Sequence, residues 1–301
     1  MGRAGAAYRV VTTRGANLYL KLRRGGFDLP SVALPHHLSL KGIGWVIAPV
    51  PTHDQQLQAA LEGFTLAVYP FTEGRNAFEC PLSESQWLDF GAALRQLHVA
   101  TVPDSLGETI PRETYGPRYR EQAQLFLEMA ERETFEEPVA RELGRFLRSK
   151  DGVIRTLLRH AEELAAVLER ESPAFVICHG DIHAANVLIA RDGPLYVVDW
   201  DTLVLAPKER DLMFIGAGVG GVWTGESEER LFYQGYGPTT VNRKALDYYR
   251  CERVVEDIVA YSEQLLLTDG GGRDREPGLG KLIAAFERGN VVEVALNGGS
   301  G

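Results

Sequence analysis

The sequence predicts an α+β protein with two lobes, a small antiparallel β lobe over residues 1–75 and a larger, mainly helical lobe over residues 76–301. In the first 70 residues, apolar and polar side chains alternate over short stretches, as they do in half-buried strands. From residue 83 onward, apolar residues recur at the spacing of helices. A short hairpin near residue 190 interrupts the helical part.

The β lobe is predicted from four stretches. Residues 8–13 and 17–22 alternate around a turn at Arg14-Gly-Ala and predict a hairpin. Ser31–Leu40 is predicted to be a short helix with Ser31 as its N-cap and Gly42 beyond its end. Residues 44–48 and 64–69 are rich in β-branched and aromatic side chains and predict two further strands.

The helical lobe follows from apolar residues at helical spacing. The predicted helices are residues 83–100, 117–132, 138–147, 153–171, 244–267 and 278–288. Two Gly-rich segments are predicted to be loops, 216–221 and the charged, mobile 269–277. The first has the spacing G-x-G-x-x-G but lacks the flanking strand, helix and second parallel strand of a dinucleotide site.

Composition limits the class of partner. The chain has 301 residues, a formal net charge of −9 and a pI near 5.4, which disfavours nucleic acid and anionic membranes and suits a cationic small molecule. No apolar run approaches the length of a membrane span, and no signal peptide is recognisable. Three widely spaced cysteines indicate reduced thiols and a cytoplasmic protein. Nothing in the sequence predicts an oligomeric state.

The most informative stretch is the hairpin that follows His179-Gly180-Asp181. Asn186 opens its first predicted strand and Asp199 ends the second, so the hairpin should return Asp199 towards Asn186 and Asp181. Carboxylate and amide oxygens are ligands that Mg²⁺ accepts together with substrate phosphates. The arrangement therefore suits phosphoryl transfer, with Asp181 left to receive or orient a hydroxyl proton.

Two plainer interpretations of the same residues stay open. Gly-Asp-x-His also occurs in metal-dependent phosphoesterases, but such sites need further histidines, and the chain has none after His183. Alternatively, Asp181 and Asn186 could serve only a turn, in which both residue types are common.

H-G-D-x-x-x-x-N followed by V-D-W-D resembles the aminoglycoside phosphotransferase and choline kinase family, a small-molecule branch of the protein-kinase-like fold. Four further segments resemble the spectinomycin phosphotransferase subgroup of that family: residues 19–25, 46–49, 69–71 and 205–216. The resemblance implies an O-phosphotransferase dependent on ATP and Mg²⁺ that acts on a small, amine-bearing alcohol. An aminocyclitol such as spectinomycin is the best expected acceptor, with choline, a sugar or another metabolite as alternatives. A non-catalytic, kinase-like binding protein is the competing hypothesis.

The resemblance also implies roles for single residues. Asp181 would orient the acceptor hydroxyl, and Asn186 and Asp199 would hold Mg²⁺. Lys21 would project into a cleft between the lobes and pair with ATP phosphates, although a solvated strand-end lysine is the plainer alternative. Tyr69-Pro-Phe71 would be the linker whose backbone receives adenine.

The remaining candidates are supporting or acceptor-binding residues. Asp211 resembles a buried aspartate that supports the catalytic loop, and His179 is expected to be a packed, hydrogen-bonded residue of that loop. Asp201 is a second metal or substrate contact, or a turn residue. Trp223, Glu256 and Asp257 are candidates for the acceptor site, with a solvated helix face as the plainer interpretation of the two acids.

Two departures from the family pattern stand out. Kinase-like enzymes hold their phosphate-binding lysine with a helix glutamate, and no Glu lies between Lys21 and Leu61. The family also has a strand and a phosphate-covering loop before the strand that contains Tyr8, and this strand is expected to be missing here. Weak ATP binding is therefore expected.

Overall fold

In the computed structural model, residues 5–268 and 272–297 are described. The strands of this part are β1 Gly5–Val11, β2 Asn17–Arg23, β3 Ala59–Leu61, β4 Phe64–Pro70, β5 Gly74–Asn76, β6 Val176–Cys178, β7 Val187–Ala190, β8 Leu195–Val197 and β9 Val204–Ala206. The helices are α1 Leu29–Leu40, α2 Glu84–His98, α3 Asp104–Gly107, α4 Arg118–Arg132, α5 Pro138–Glu171, α6 Glu209–Leu212, α7 Glu226–Tyr236, α8 Arg243–Leu266, α9 Arg275–Ala285 and α10 Val291–Asn297.

The described residues divide into two compact units. Unit 1 comprises the residues up to 112 together with 176–206 and 231–238, and unit 2 comprises 113–175, 207–230 and the residues from 239 onward. All nine strands belong to unit 1, which confirms the predicted α+β class with its small antiparallel sheets. The predicted boundary after residue 75 differs from the division into these two units, because α2 and the β7–β8 hairpin, which follow residue 75, belong to unit 1. That boundary stays a prediction.

The main sheet of unit 1 has the strand order β1-β2-β4-β3. The predicted first hairpin and the strand at Phe64 are confirmed, and β2 pairs antiparallel with β4 so that Lys21 faces Ala67. The short strand β3 was not predicted. It reaches β4 through Glu62 and Gly63, both at positive φ, as tight hairpin turns require.

The strand predicted at residues 44–48 is wrong. In this stretch the ladder is reduced to an isolated bridge between Val46 and Val197, with one bond from the Val197 amide to the Trp45 carbonyl. Pro49 and Pro51 follow directly, and proline has no amide hydrogen to continue a ladder. Residues 44–48 therefore pass along the hairpin without joining its sheet.

Helix α1 begins earlier than predicted. Asp28 occupies the N-cap position with extended backbone, and Pro30 lies in the first turn, where its missing amide hydrogen costs nothing. Ser31 is not the N-cap; its hydroxyl donates to the Asp28 carbonyl. Gly42 follows the helix at φ +80°, as the prediction required.

Helix α2 and the end of α7 approach each other at backbone distance within unit 1. A Cβ on Gly91 would lie 2.1 Å from the Phe232 carbonyl oxygen, and one on Gly235 would lie 2.0 Å from that of Leu88. Ser83 begins α2 with a complete capping box that includes Gln86. Gln86 also donates to the Gly193 carbonyl, which ties the start of α2 to the turn of the β7–β8 hairpin.

Unit 2 is built around α5, a single helix where two had been predicted. Gly152 and its charged neighbours break the apolar periodicity, which suggested an interruption. The helix continues because one glycine costs a helix only about 1 kcal/mol and because Arg155 pairs with Asp151 one turn away. Buried apolar residues of α4, α5, α8, α9 and α10 form its core.

The predicted Gly-rich loops divide differently. Residues 269–271 of the predicted mobile loop lie outside the described residues. The rest of that loop is helical, because Gly272–Asp274 is a 3-10 turn and α9 begins at Arg275. Residues 219–221 form a second 3-10 turn after a loop. None of the described helices combines the length and the apolar character that crossing a bilayer requires.

Candidate active site

Beside the β7–β8 hairpin, unit 1 contains a cavity of about 520 Å³, which lies within the usual size range of ligand pockets. Both predicted metal ligands and the predicted phosphate-binding lysine line it. Its walls are Arg9, Tyr19, Lys21, Ser31, Ile47, Tyr69, Pro70, Phe71, Thr72, Glu73, Gly74, Ala185, Asn186, Leu188, Val198, Asp199, Trp200 and Asp201.

The loop before the hairpin depends on Gly180. This residue has φ +83°, and a Cβ there would lie 2.2 Å from the Thr202 carbonyl oxygen, closer than any real Cβ contact. The Thr202 hydroxyl in turn donates to the His179 carbonyl at 2.9 Å. A larger residue in the middle of His-Gly-Asp would push the two segments apart.

His179 is fully buried and holds the same loop, in agreement with its predicted packed position. Its Nε2 donates to the Val198 carbonyl at 3.1 Å, and its Nδ1 accepts from the Asp181 amide at 3.4 Å. These two bonds require the neutral ring with the proton on Nε2. Its ring centroid lies 5.0 Å from that of Trp200, which stacks on Trp45.

Asn186 and Asp181 are joined directly. The Asn186 side chain is buried, and its Nδ2 donates to the Asp181 carbonyl at 2.7 Å, which fixes the orientation of the amide. The Asn186 backbone carbonyl accepts from the amide of Val198, the residue before Asp199. The Asp181 carboxylate has His183 Nε2 at 3.4 Å. The Asp181 backbone is thus bonded to Asn186, and Asn186 and Asp199 line one cavity, whereas Asp181 is not among its lining residues.

Asp199 adopts φ +64°, a left-handed conformation that costs free energy in any residue but glycine. Its carboxylate is half-exposed, and its Oδ1 lies 2.8 Å from Lys21 Nζ. Because Asn186 and Asp199 offer oxygen atoms to one cavity, the donor set fits Mg²⁺, a hard cation.

Lys21 is not a solvated strand-end residue. Besides Asp199, its Nζ contacts Asp201 Oδ2 at 2.5 Å, and Arg23 pairs with the same oxygen. Lys21 and Arg23 share one face of β2 because side chains alternate along a strand. The two-residue spacing from Lys21 to Arg23 is the feature of the sequence that could have indicated Arg23 as a second cation at this site. The Asp201 pairings show that this residue is more than part of a turn.

The predicted adenine linker, Tyr69-Pro-Phe71, lies at the end of β4. Tyr69 and Phe71 both line the cavity, and the Phe71 amide donates to the Asn17 carbonyl at 3.3 Å. The Arg9 guanidinium lies 4.4 Å from the centre of the Phe71 ring, at cation–π distance. Burial, and then the nearby charge of Asp199, raise the pKa of Tyr69 to about 12. Tyr69 is therefore a neutral hydrogen-bonding group at physiological pH.

The other predicted residues belong to unit 2. Asp211 is fully buried in α6, as a supporting residue would be. Trp223 is buried at φ +59°. Glu256 accepts from Arg210 at 3.2 Å, and Asp257 pairs with Arg253 along α8. The acceptor roles of Trp223, Glu256 and Asp257 and the supporting role of Asp211 stay predictions.

Comparison with known proteins identifies the class. Residues 2–249 match the model of the phosphotransferase enzyme family APH. The chain belongs to this family, and it is a phosphotransferase.

Individual relatives narrow the comparison. Spectinomycin phosphotransferase APH(9)-Ia, solved in complex with ADP and spectinomycin, is 34% identical with a TM-score of 0.91, over 99% of this chain and 92% of that one. Protein StrN of Streptomyces griseus is 26% identical over 65% of this chain, and the match spans 62% of StrN. Amicoumacin kinase hAmiN, at 17% identity and a TM-score of 0.61, over 96% of this chain and 85% of that one, shares the kinase-like fold.

Proposed function

We propose that this protein transfers the γ-phosphoryl group of ATP, with Mg²⁺, to a hydroxyl of a small, amine-bearing alcohol, and that an aminocyclitol such as spectinomycin is the best candidate acceptor. The observation that carries the proposal is the convergence of Lys21, Asn186 and Asp199 on one cavity, with the backbone carbonyl of Asp181 bonded to the Asn186 side chain. The 34% identity to an enzyme that binds ADP and spectinomycin favours that acceptor class.

In the proposed reaction these residues have separate roles. The acceptor oxygen attacks the γ-phosphorus and forms a new O–P bond, while the bond to the bridging oxygen breaks and ADP leaves. Asp181 orients the hydroxyl and takes its proton. Lys21 pairs with phosphate oxygens, and Asn186 and Asp199 would hold Mg²⁺, which neutralises phosphate charge.

The adenine would lie against Tyr69 and Phe71, in the apolar part of the cavity that Ile47 and Leu188 also line. The Phe71 amide is bonded to Asn17, so recognition through that donor would require the bond to open or be shared. The net charge of −9 favours a cationic acceptor. A cytoplasmic location is proposed from the cysteines, none of which forms a disulfide among the described residues.

The test is ATP consumption by the purified protein with Mg²⁺ across spectinomycin, aminoglycosides, choline, ethanolamine and simple sugars, followed by mass spectrometry of the product. We expect ADP release that depends on the acceptor and a phosphorylated aminocyclitol. Asp181→Asn should lower the rate of ADP release about 10²-fold or more, and Asp192→Asn, in the exposed hairpin turn, should leave it unchanged. Nucleotide binding without turnover of any acceptor would instead favour a non-catalytic binding protein.

The predicted acceptor residues need a separate test because both acids are ion-paired within unit 2. We propose that Glu256 and Asp257, with Trp223, contribute to acceptor binding. Asp257→Asn should then raise KM for the acceptor with little change in KM for ATP. A change in thermal stability alone would assign the residue to its pair with Arg253.

A further inference from the structure

The phosphate-binding lysine of this chain has no helix glutamate to hold it. Helix α1, which follows β2, contains neither Asp nor Glu. Lys21 instead contacts two carboxylates that follow β8, Asp199 at 2.8 Å and Asp201 at 2.5 Å. Two different carboxylates thus share the contact that one glutamate makes in other kinase-like enzymes.

The two carboxylates differ in their surroundings. The Asp199 side chain is 47% exposed and contacts Lys21 through Oδ1. The Asp201 side chain is 17% exposed, and its Oδ2 receives both Lys21 and Arg23. A shielded oxygen already shared by two cations is poorly placed to bind a third positive group, whereas the open carboxylate of Asp199 suits a metal ion.

The segment that carries Asp201 is firmly anchored. Trp200 is buried, its indole nitrogen donates to the Val197 carbonyl at 3.2 Å, and it stacks on Trp45. On the other side of Asp201, Thr202 bonds to the carbonyl of His179 in the catalytic loop. Asp201 is therefore fixed to the same scaffold as Asp181.

We propose that Asp201 is a positioning residue that holds Lys21 and Arg23 for the nucleotide phosphates, and that Arg23 is a second phosphate-binding cation. Asp201 is then not an acceptor contact. The inference rests on the proposed function. With Asp199 engaged by a metal ion, Lys21, Arg23 and Asp201 leave a net charge of +1, from two cations and one carboxylate, towards the phosphates.

The test is calorimetric binding of ADP and of a non-hydrolysable ATP analogue, each with and without Mg²⁺. Asp201→Asn should weaken binding about tenfold or more under both conditions, because charged hydrogen bonds that orient Lys21 and Arg23 are lost. Asp201→Glu keeps the charge and should recover part of the loss. Asp199→Asn, which also removes one of the two carboxylate contacts of Lys21, should act mainly on the increment that Mg²⁺ adds. Asp192→Asn makes the same change in the exposed hairpin turn and should bind as wild type.

Further variants separate a loss of nucleotide binding from a loss of folding. Arg23→Gln should weaken nucleotide binding on its own and have a smaller effect when combined with Asp201→Asn, since both act through one oxygen. If Asp201→Asn melts early, Arg23→Gln and Asp201→Glu supply the measurement. Unchanged nucleotide affinity in a folded Asp201→Asn protein, or a rise only in KM for the acceptor, would overturn the inference. Absence of nucleotide binding in the wild type would overturn the proposed function itself.

Discussion

A charged cluster in unit 1 and an ion pair in unit 2 differ in how far solvent reaches them. In unit 1, Lys21 contacts Asp199 and Asp201 at the wall of a cavity, and Asp199 stays half-exposed. In unit 2, Arg120 pairs with Glu252 with both side chains less than 10% exposed, and Arg120 also donates to the Tyr115 carbonyl. Accessible charge suits binding and chemistry, whereas enclosed one-to-one pairs link helices. Substitutions in the unit 1 cluster should therefore lower turnover or nucleotide affinity, whereas substitutions in the unit 2 pair should lower the free energy of unfolding.

The largest effect is expected for Asp199→Asn. Loss of the half-exposed carboxylate should lower kcat about 10³-fold, which corresponds to about 4 kcal/mol, because phosphate charge is no longer neutralised through this position. Steady-state kinetics at saturating Mg²⁺ measure it, with Asp192→Asn as the matched control. Near-wild-type turnover would show that Asp199 has no role in the reaction, and the comparison with the Arg120–Glu252 pair would then no longer hold.

In unit 2, Glu252→Gln should lower the free energy of unfolding by about 3 kcal/mol, because Arg120 would lose its charged partner in a buried position. Chemical denaturation measures the loss. Nucleotide affinity of the folded variant should equal that of wild type. A specific loss of nucleotide affinity without destabilisation would mean that this pair serves binding after all.

Asp181→Asn should reduce kcat about 10²-fold or more while ATP affinity is retained, since the proposed partner of Asp181 is the acceptor hydroxyl. Single-turnover kinetics and calorimetry separate the two quantities. An equal loss of ATP affinity would place Asp181 with Asn186 and Asp199 in holding the nucleotide.

The smallest effect compares two glycines of unit 1. Gly180→Ala should destabilise by about 2 kcal/mol, because a strained φ is combined with a clash against the Thr202 carbonyl. Gly193→Ala, at φ +107° with open space around its Cβ position, should cost only about 1 kcal/mol. Thermal melting compares them. Equal losses would show that the approach to Thr202 does not constrain the loop.

The sequence predicted elements best where local signals agreed. Ser83 and Gln86 supplied a complete capping box, and the apolar periodicity continued directly into α2. The prediction failed where tertiary context decided the outcome. The charged stretch around Gly152 interrupts the apolar pattern but does not end α5. Pro49 likewise does not tell whether one residue of 44–48 pairs with another strand or all five do.

The candidate site was predictable to the extent that its residues lie close together in sequence. Asp181, Asn186 and Asp199 are joined by a short hairpin, so their spacing implied their proximity. The pairing of Lys21 with Asp201 joins positions 180 residues apart, and no local pattern records it. The missing helix glutamate was visible in the sequence, but the residue that takes its place required the fold.

The backbone of Asp199 carries a further consequence for protein engineering. At φ +64°, glycine would have the least backbone strain and asparagine little more. Neither residue carries the negative charge that the proposed chemistry needs. A library of variants screened only for thermal stability would therefore tend to replace this aspartate, and the variants that keep it, and with it the proposed activity, would be lost. Selection for folding and selection for turnover favour different residues at this position, and a screen must include activity to keep both.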